Sequence, residues 1–152
     1  MPLPSSIRSR PCPITAIDLL GGRDTLGAAV DNQHDFIARL RAGLPVACAS
    51  ALVRSGCLTQ AETDAVVSLR LAAAHQRTSG SLTPGESVRL LRAASVLARA
   101  LNTFGSLEKS SAWLRRPTVA LAGEAPVTLL RAAAGAKRVA DLLGHIDHGI
   151  AT

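Results

Sequence analysis

The sequence has very few aromatic residues: two Phe, one Trp and no Tyr among 152 residues. Its apolar content is nevertheless 47 %, and most of it is Ala, Leu and Val. Ala and Leu favour helices, and runs of β-branched residues are rare, so the composition predicts an all-α chain. Cores built from small side chains are thin, and a partner or a second copy often completes them.

Cysteine and long apolar runs are also scarce. Cys12, Cys48 and Cys57 are odd in number and form no close pair, which argues against a disulfide framework or a zinc site. The Ala- and Leu-rich surroundings of Cys48 and Cys57 favour buried structural thiols over a Cys–His nucleophile pair. The first residues lack the apolar core of a secretory signal, and no apolar run reaches the length of a membrane span. We therefore expect a cytoplasmic protein without contact to a membrane.

Acidic residues are outnumbered, since 17 Lys and Arg against 11 Asp and Glu give a net charge of +6. This excess permits binding to DNA or to an acidic protein surface. The basic residues are spread along the chain without a block of five or more, so the charge alone does not demand either partner.

No catalytic constellation appears, so neither an enzyme nor a cofactor is predicted. His145 and His148 lie three residues apart beside Asp141 and Asp147, a spacing that is compatible with a metal ion. No third ligand is indicated, and polar residues at a helix end more often meet solvent or cap carbonyl groups. We therefore predict no metal site.

Proline, glycine and capping residues divide the chain into short helices. Residues 1–14 contain four prolines and are predicted to form a flexible arm. Thr59 to Glu62 and Thr83 to Glu86 have the spacing of capping boxes, and Pro84 suits a first helical position. Helices are predicted at residues 32–41, from Pro45 to the stop at Gly56, and at 60–67, 68–77, 84–103, 107–114, 126–134 and 136–148, with a loop at 118–125 and a break at Gly135.

Helices 60–67 and 68–77, joined tightly, have the shape of a helix-turn-helix. In such a motif the second helix reads DNA with polar side chains that reach base edges or phosphates. The candidates on the second helix are Ser68, Arg70, His75, Gln76 and Arg77. Because Ala72, Ala73 and Ala74 in its middle offer no hydrogen bond, a packed helix without a role in DNA binding remains the alternative.

The segment from Phe104 to Ile150 holds the single Trp, Trp113, together with two prolines and several glycines. Large apolar side chains on short, broken helices are hard to bury fully in a thin core, so some are expected to line an interaction surface. The alternative is that Trp113, Leu114, Leu129 and Leu130 are ordinary core residues.

Many spaced positions of this segment fit a known pattern: Ala100, Leu101, Phe104, Gly105, Ala112, Trp113, Leu114, Pro117, Leu121, Ala122, Gly123, Ala125, Pro126, Leu129, Leu130, Gly135, Val139, Leu142, Leu143, Ile146, His148, Gly149 and Ile150. The segment resembles the toxin-binding domain of the Xre/MbcA/ParS antitoxin family. Upstream, Gly43-Leu44-Pro45, Leu58-Thr59, Leu82-Thr83, Glu86-Ser87, Leu90-Leu91 and Ala94 resemble the family's Xre-like helix-turn-helix region. The resemblance spans about residues 43–150.

The resemblance implies a type II antitoxin with the arm at 1–14, an Xre-like region at 15–103 and a toxin-binding domain at 104–152. The implied partner is a RES-domain toxin that consumes NAD or transfers ADP-ribose from it, and the antitoxin's C-terminal end would block that active site. Autoregulation of the operon through operator DNA, and a homodimer within a larger toxin–antitoxin complex, are also implied. The predicted toxin contacts are Trp113, Leu114, Pro126, Leu130, His145, His148, Gly149 and Ile150.

One departure from the family concerns the predicted recognition helix. Family members usually carry a Thr and a cluster of Arg near its middle and end, where this chain has Ala72 to Ala74. Toxin binding is therefore better supported than DNA binding. The alternative function is a DNA-binding transcriptional repressor without a toxin partner.

Overall fold

The structure is a computed structural model that describes residues 14–27, 32–67 and 80–149. Within these ranges the chain forms helices, a few turns and two isolated antiparallel bridges, and no strand. The helices are α1 (Ala16–Leu19), α2 (Gly22–Leu26), α3 (Gln33–Ala42), α4 (Val46–Arg54), α5 (Gln60–Val67), α6 (Pro84–Phe104), α7 (Leu107–Arg115), α8 (Pro126–Leu129) and α9 (Ala133–Asp147), with a 3-10 turn at Val119–Leu121. The all-α prediction is confirmed.

Helix α6 is the axis of the fold, and α1, α3, α5, α7 and α9 pack against it. Its buried face alternates leucine with alanine, including Leu90, Ala94, Leu97, Ala98 and Leu101. This is the stripe at three- and four-residue spacing that the sequence predicts. The small alanines let neighbouring helices approach closely, which compensates for the shortage of large rings.

Both predicted capping boxes are present. The Thr83 N–H donates to Glu86 Oε1 at 2.8 Å, and the Glu86 N–H donates to Thr83 Oγ1 at 3.2 Å. Thr59 and Glu62 form the same pair of bonds at 2.9 and 3.1 Å. Each box satisfies backbone donors that a helix start leaves free, so α5 and α6 begin where predicted.

Ser87 fastens the start of α6 to the segment that precedes α4. Its side chain is fully buried, and its Oγ accepts the Leu44 N–H at 2.8 Å and donates to the Thr83 carbonyl at 2.8 Å. The Leu82 N–H in turn donates to the Leu44 carbonyl at 2.8 Å. A buried N–H without a partner is costly, so this bond holds Leu44 and α4 in place.

The prediction for the last two helices is wrong at Gly135. Instead of a helix at 126–134 broken at Gly135, α8 ends at Leu129, and α9 begins at Ala133 and runs through Gly135. Gly135 is buried, and a Cβ there would overlap the carbonyl oxygen of Leu129. The glycine therefore serves a close contact between the end of α8 and α9, not a helix stop.

Two smaller differences lie elsewhere in the chain. Part of the predicted loop at 118–125 winds into the 3-10 turn, and Gly22–Leu26 form α2, a helix that is absent from the predicted set. The predicted second helix at 68–77 and the first 13 residues of the predicted arm lie outside the described residues.

Candidate functional site

An aromatic pair fixes α7 to the end of α6. The rings of Phe104 and Trp113 have centroids 5.3 Å apart and an interplanar angle of 40°. Both side chains are half-buried and pack against the core. Gly105, with φ 75°, ends α6, and Ser106 Oγ accepts the Lys109 N–H at 3.1 Å to start α7. Trp113 therefore has one side in the core and another open to a partner.

Three of the predicted toxin contacts lie inside the protein. The exposed fractions are 1 % for Leu114 and 0 % for Leu130, and Pro126 is also buried. In this conformation they support the surface from beneath and offer almost no area to a partner. Direct contact with a toxin stays a prediction for the exposed members of the set.

The last turn of α9 extends past the core. His145, Asp147, His148 and Gly149 are exposed, whereas Ile146 is half-buried and packs against the core. The His148 N–H donates to the Gly144 carbonyl at 3.1 Å, and Gly149 has φ 72°. Gly149 thus follows the end of the helix in the left-handed conformation that glycine adopts readily. Ile150 lies outside the described residues.

Arg99, which the sequence interpretation did not select, braces this last turn from α6. Its Nε lies 3.8 Å from Asp147 Oδ2. Its guanidinium lies over Gly144, where a Cβ would come within 2.9 Å of Nη2. The only sign of this contact in the sequence is Gly144, a glycine in the interior of a predicted helix. The fold shows that Arg99 occupies the space beside it.

Val119 is a second residue that the sequence interpretation missed. It is 94 % exposed at the tip of the 3-10 turn between α7 and α8. The turn is closed by bonds from Thr118 N–H to the Glu124 carbonyl and from Gly123 N–H to the Thr118 carbonyl, at 3.2 and 2.9 Å. Buried Leu121 anchors it. Because hydrogen bonds and Leu121 fix this turn and Val119 is exposed on it, the turn is a candidate contact point for a partner.

Arg115 connects α7 to the start of α5. Its Nη2 donates to Glu62 Oε1 at 2.6 Å and to the Cys57 carbonyl at 3.4 Å. The same Glu62 oxygen accepts the Thr59 N–H of the capping box. The Arg115–Glu62 ion pair is partly exposed, so it contributes only about 0–1 kcal/mol to the free energy of unfolding. Its main effect is to fix α7 relative to α5. It joins the segment around Trp113 to the first helix of the predicted helix-turn-helix.

The DNA-binding candidates Ser68, Arg70, His75, Gln76 and Arg77 all lie outside the described residues. The helix before them, α5, ends at Val67. There the Val67 carbonyl accepts bonds from Arg89 Nε and Nη2 at 3.3 and 3.1 Å. The end of α5 is therefore held against the first turns of α6.

The two described cysteines are buried thiols, as predicted. Cys48 and Cys57 are 0 % and 2 % exposed. Burial raises the pKa of Cys48 to about 11, although the charge of Arg39 opposes the shift. A thiol with such a pKa stays protonated at neutral pH and is a poor nucleophile.

Among the described residues, no group of three or more His, Cys, Asp or Glu side chains is placed to hold a metal ion. No helix in the described ranges combines the length and apolarity needed to cross a membrane.

Residues 99–149 match the family model of the antitoxin Xre/MbcA/ParS C-terminal toxin-binding domain. An "Antitoxin Xre" of Pseudomonas putida is 31 % identical over 118 residues, covering 78 % of this chain and 74 % of that protein. The chain belongs to the Xre/MbcA/ParS antitoxin family. An "Antitoxin Xre" of Photorhabdus laumondii is 29 % identical over 129 residues, covering 83 % of this chain and 87 % of the relative.

The match locates the family's toxin-binding domain within this antitoxin. It runs from Arg99, in the last turns of α6, to Gly149 at the end of α9. The range includes the aromatic pair, the Val119 turn and the exposed last turn. An "Antitoxin Xre" of Yersinia enterocolitica is 36 % identical over 72 residues, covering 47 % of this chain and 49 % of the relative.

Proposed function

We propose that this antitoxin binds and neutralises a RES-domain toxin that consumes NAD or transfers ADP-ribose from it. The antitoxin performs no chemistry of its own. The last turn of α9 blocks the toxin's active site, and the surface around Trp113 and Val119 holds the two proteins together. The observation that carries this proposal is the exposed turn from His145 to Gly149, which extends past its last core contact at Ile146.

To block a pocket, the last turn of α9 must be anchored to the core where it begins and exposed where it ends. Ile146 and the Arg99 brace support the base, and His148 and Gly149 are exposed at the tip. A projection that is already ordered loses little conformational entropy when it enters a pocket, which favours tight binding. The described geometry therefore supports occlusion better than a role limited to wrapping the toxin.

Deletion of residues 149–152 tests the mechanism. No described residue in that stretch packs against the core, so the melting temperature should stay within about 2 °C of the full chain, as for a surface change. Co-expressed with the neighbouring gene's product, the shortened antitoxin should fail to prevent growth arrest and NAD depletion. The matched control is Ala47→Ser, an exposed change on α4 outside the family-matched range. Full neutralisation by the shortened, folded protein would exclude occlusion by the C-terminal end.

A second activity, repression of the antitoxin's own operon, is part of the proposal. It is supported by the capped helix α5 at the start of the predicted helix-turn-helix and by the net charge of +6.

We further propose a homodimer within a larger toxin–antitoxin complex. An apolar groove of about 430 Å³ between α6 and α9, lined by residues such as Val88, Leu91 and Ala136, is a surface that a second copy can cover.

Repression predicts binding to the chain's own promoter with a steep dependence on salt, because phosphate contacts release counterions. A gel-shift titration between about 50 and 200 mM salt should weaken binding by at least tenfold if several phosphates are contacted. Arg70→Ala and Arg77→Ala should weaken it further, and Arg54→Ala on α4 is the control. Absence of a shift at low salt, with and without toxin, would remove this activity and leave toxin neutralisation untouched.

A further inference from the structure

A cavity of about 250 Å³ lies between α5 and α8. Its lining residues are Glu62, Ala65 and Val66 on the α5 side and Val127, Thr128 and Arg131 on the α8 side. Val66 is 2 % exposed, and Val127 is half-buried against the core. Ala65, Thr128 and Arg131 are exposed. The cavity therefore has an apolar floor and an edge that is open to solvent.

Hydrogen bonds hold both walls of this cavity in place. On the α5 side, Glu62 Oε1 accepts bonds from Arg115 Nη2 at 2.6 Å and from the Thr59 N–H at 2.9 Å. On the α8 side, Thr128 Oγ1 donates to the Ala125 carbonyl at 2.7 Å. A cavity with fixed walls needs little rearrangement when a partner fills it, which favours tight binding.

The size of the cavity indicates a single large side chain as its occupant. Sites for drug-sized ligands usually have volumes of about 300–1,000 Å³, and the space between α5 and α8 is smaller. Small apolar pockets at protein interfaces receive the few anchoring side chains that carry most of the binding energy. A partner protein is therefore the source that fits this cavity better than a free small molecule.

The position of the cavity connects it to the candidate toxin surface. Its α8 side lies within residues 99–149, the range that matches the family's toxin-binding domain. Helix α8 begins at Pro126, two residues after Glu124, whose carbonyl closes the Val119 turn. The cavity therefore continues a surface that already belongs to the toxin-binding domain.

The charge at the edge of the cavity favours an acidic neighbour for the occupant. Arg131 is exposed and forms no ion pair with an acidic residue in the described ranges. An unpaired cation beside an apolar pocket is complementary to a carboxylate that lies next to an apolar side chain on the partner. Glu62, on the opposite wall, is already paired with Arg115, so the free charge of the edge is positive.

We propose that the cavity between α5 and α8 receives an aromatic or branched aliphatic side chain of the toxin, and that Arg131 pairs with a carboxylate beside it. This inference rests on the proposed toxin binding. The surface that contacts the toxin then extends beyond the family-matched range onto α5, the first helix of the predicted helix-turn-helix. The cavity is an anchoring point in addition to the last turn of α9.

Ala65→Phe in the full chain tests the cavity, because a phenyl ring at this position competes with the toxin side chain for the same space. Affinity for the purified product of the neighbouring gene, measured by calorimetry, should fall about tenfold or more. The melting temperature should change by no more than about 4 °C, as for a surface substitution. Ala47→Phe is the matched control, since it places the same ring at an exposed position of α4 that does not line the cavity. It should leave the affinity unchanged.

Arg131→Glu tests the charge at the edge. Because Arg131 is exposed, the variant should fold, and its affinity for the toxin should fall about fivefold at about 100 mM salt. The loss should be smaller at about 500 mM salt, where exposed charges are screened. Arg54→Glu makes the same change of net charge at an exposed position of α4. An equal loss in both variants would mean a general effect of charge and would contradict the proposed pairing.

Unchanged toxin affinity of Ala65→Phe, with the unaltered chain still binding the toxin, would overturn the inference alone. A loss of promoter binding in Ala65→Phe with intact toxin affinity would also overturn it, because the cavity would then serve DNA. So would a changed oligomeric state with intact toxin affinity, which would assign the cavity to a second copy. Failure of the unaltered chain to bind the toxin would instead refute the proposed function.

Discussion

Gly135→Ala is expected to lower the free energy of unfolding by about 2–3 kcal/mol, although alanine is the better helix former. Gly135 is buried within α9, and a new Cβ would lie 3.0 Å from Leu129 Cβ and overlap the Leu129 carbonyl oxygen. Backbone atoms cannot rotate away, so α8 and α9 must separate. Thermal unfolding should show a midpoint lower by roughly 4–12 °C for a chain of this size.

Gly85→Ala provides a matched control with the opposite expected sign. Gly85 is an exposed residue in the first turn of α6, where a new Cβ would lie 3.7 Å from Arg89 Nη1 and meet no backbone. Here only helix propensity acts, so the substitution should raise stability by about 0.5–1 kcal/mol. If Gly135→Ala also stabilised the protein, the close contact between α8 and α9 would be disproved.

Helix starts were predictable because their signals are local. Thr59 and Thr83 each exchange bonds with a glutamate three residues later, and no distant residue is needed to form them. Gly105 and Gly135 show the limit of such reasoning. Both are glycines next to apolar stripes, yet only Gly105 has a positive φ, 75°. The role of Gly135 depends on Leu129, and sequence spacing does not reveal that contact.

Some residues of the candidate site were likewise predictable from the sequence and others were not. The pattern of the last helix predicts a final turn at His148, and the scarcity of aromatic residues singles out Trp113. The burial of Leu114 depends on how α7 is rotated against α6, which a helix of nine residues leaves open in sequence. The contacts of Arg99 with Gly144 and Asp147 depend on how α6 and α9 pack, and sequence spacing does not reveal them.

Leu130→Ala is expected to lower the free energy of unfolding by about 2–5 kcal/mol, because a leucine that is fully closed to solvent leaves a cavity. Its exposed fraction is 0 %. In cells the variant should neutralise the toxin poorly because less of it is folded. At low temperature, where the folded form dominates, its affinity for purified toxin should match that of the unaltered chain. Urea unfolding and calorimetry at about 10 °C measure the two quantities separately.

His148→Ala should give the reverse pattern, because His148 is exposed and no described residue depends on its side chain. Stability should change by less than about 0.5 kcal/mol, while toxin affinity falls about tenfold or more if the last turn enters a pocket. The two substitutions therefore separate residues that build the surface from residues that touch the toxin. A Leu130→Ala protein that loses stability as expected but also binds purified toxin more weakly at about 10 °C would mean that Leu130 leaves the core on binding. In that case the free fold would not be the bound one, and the occlusion geometry argued from the last turn of α9 would have to be abandoned.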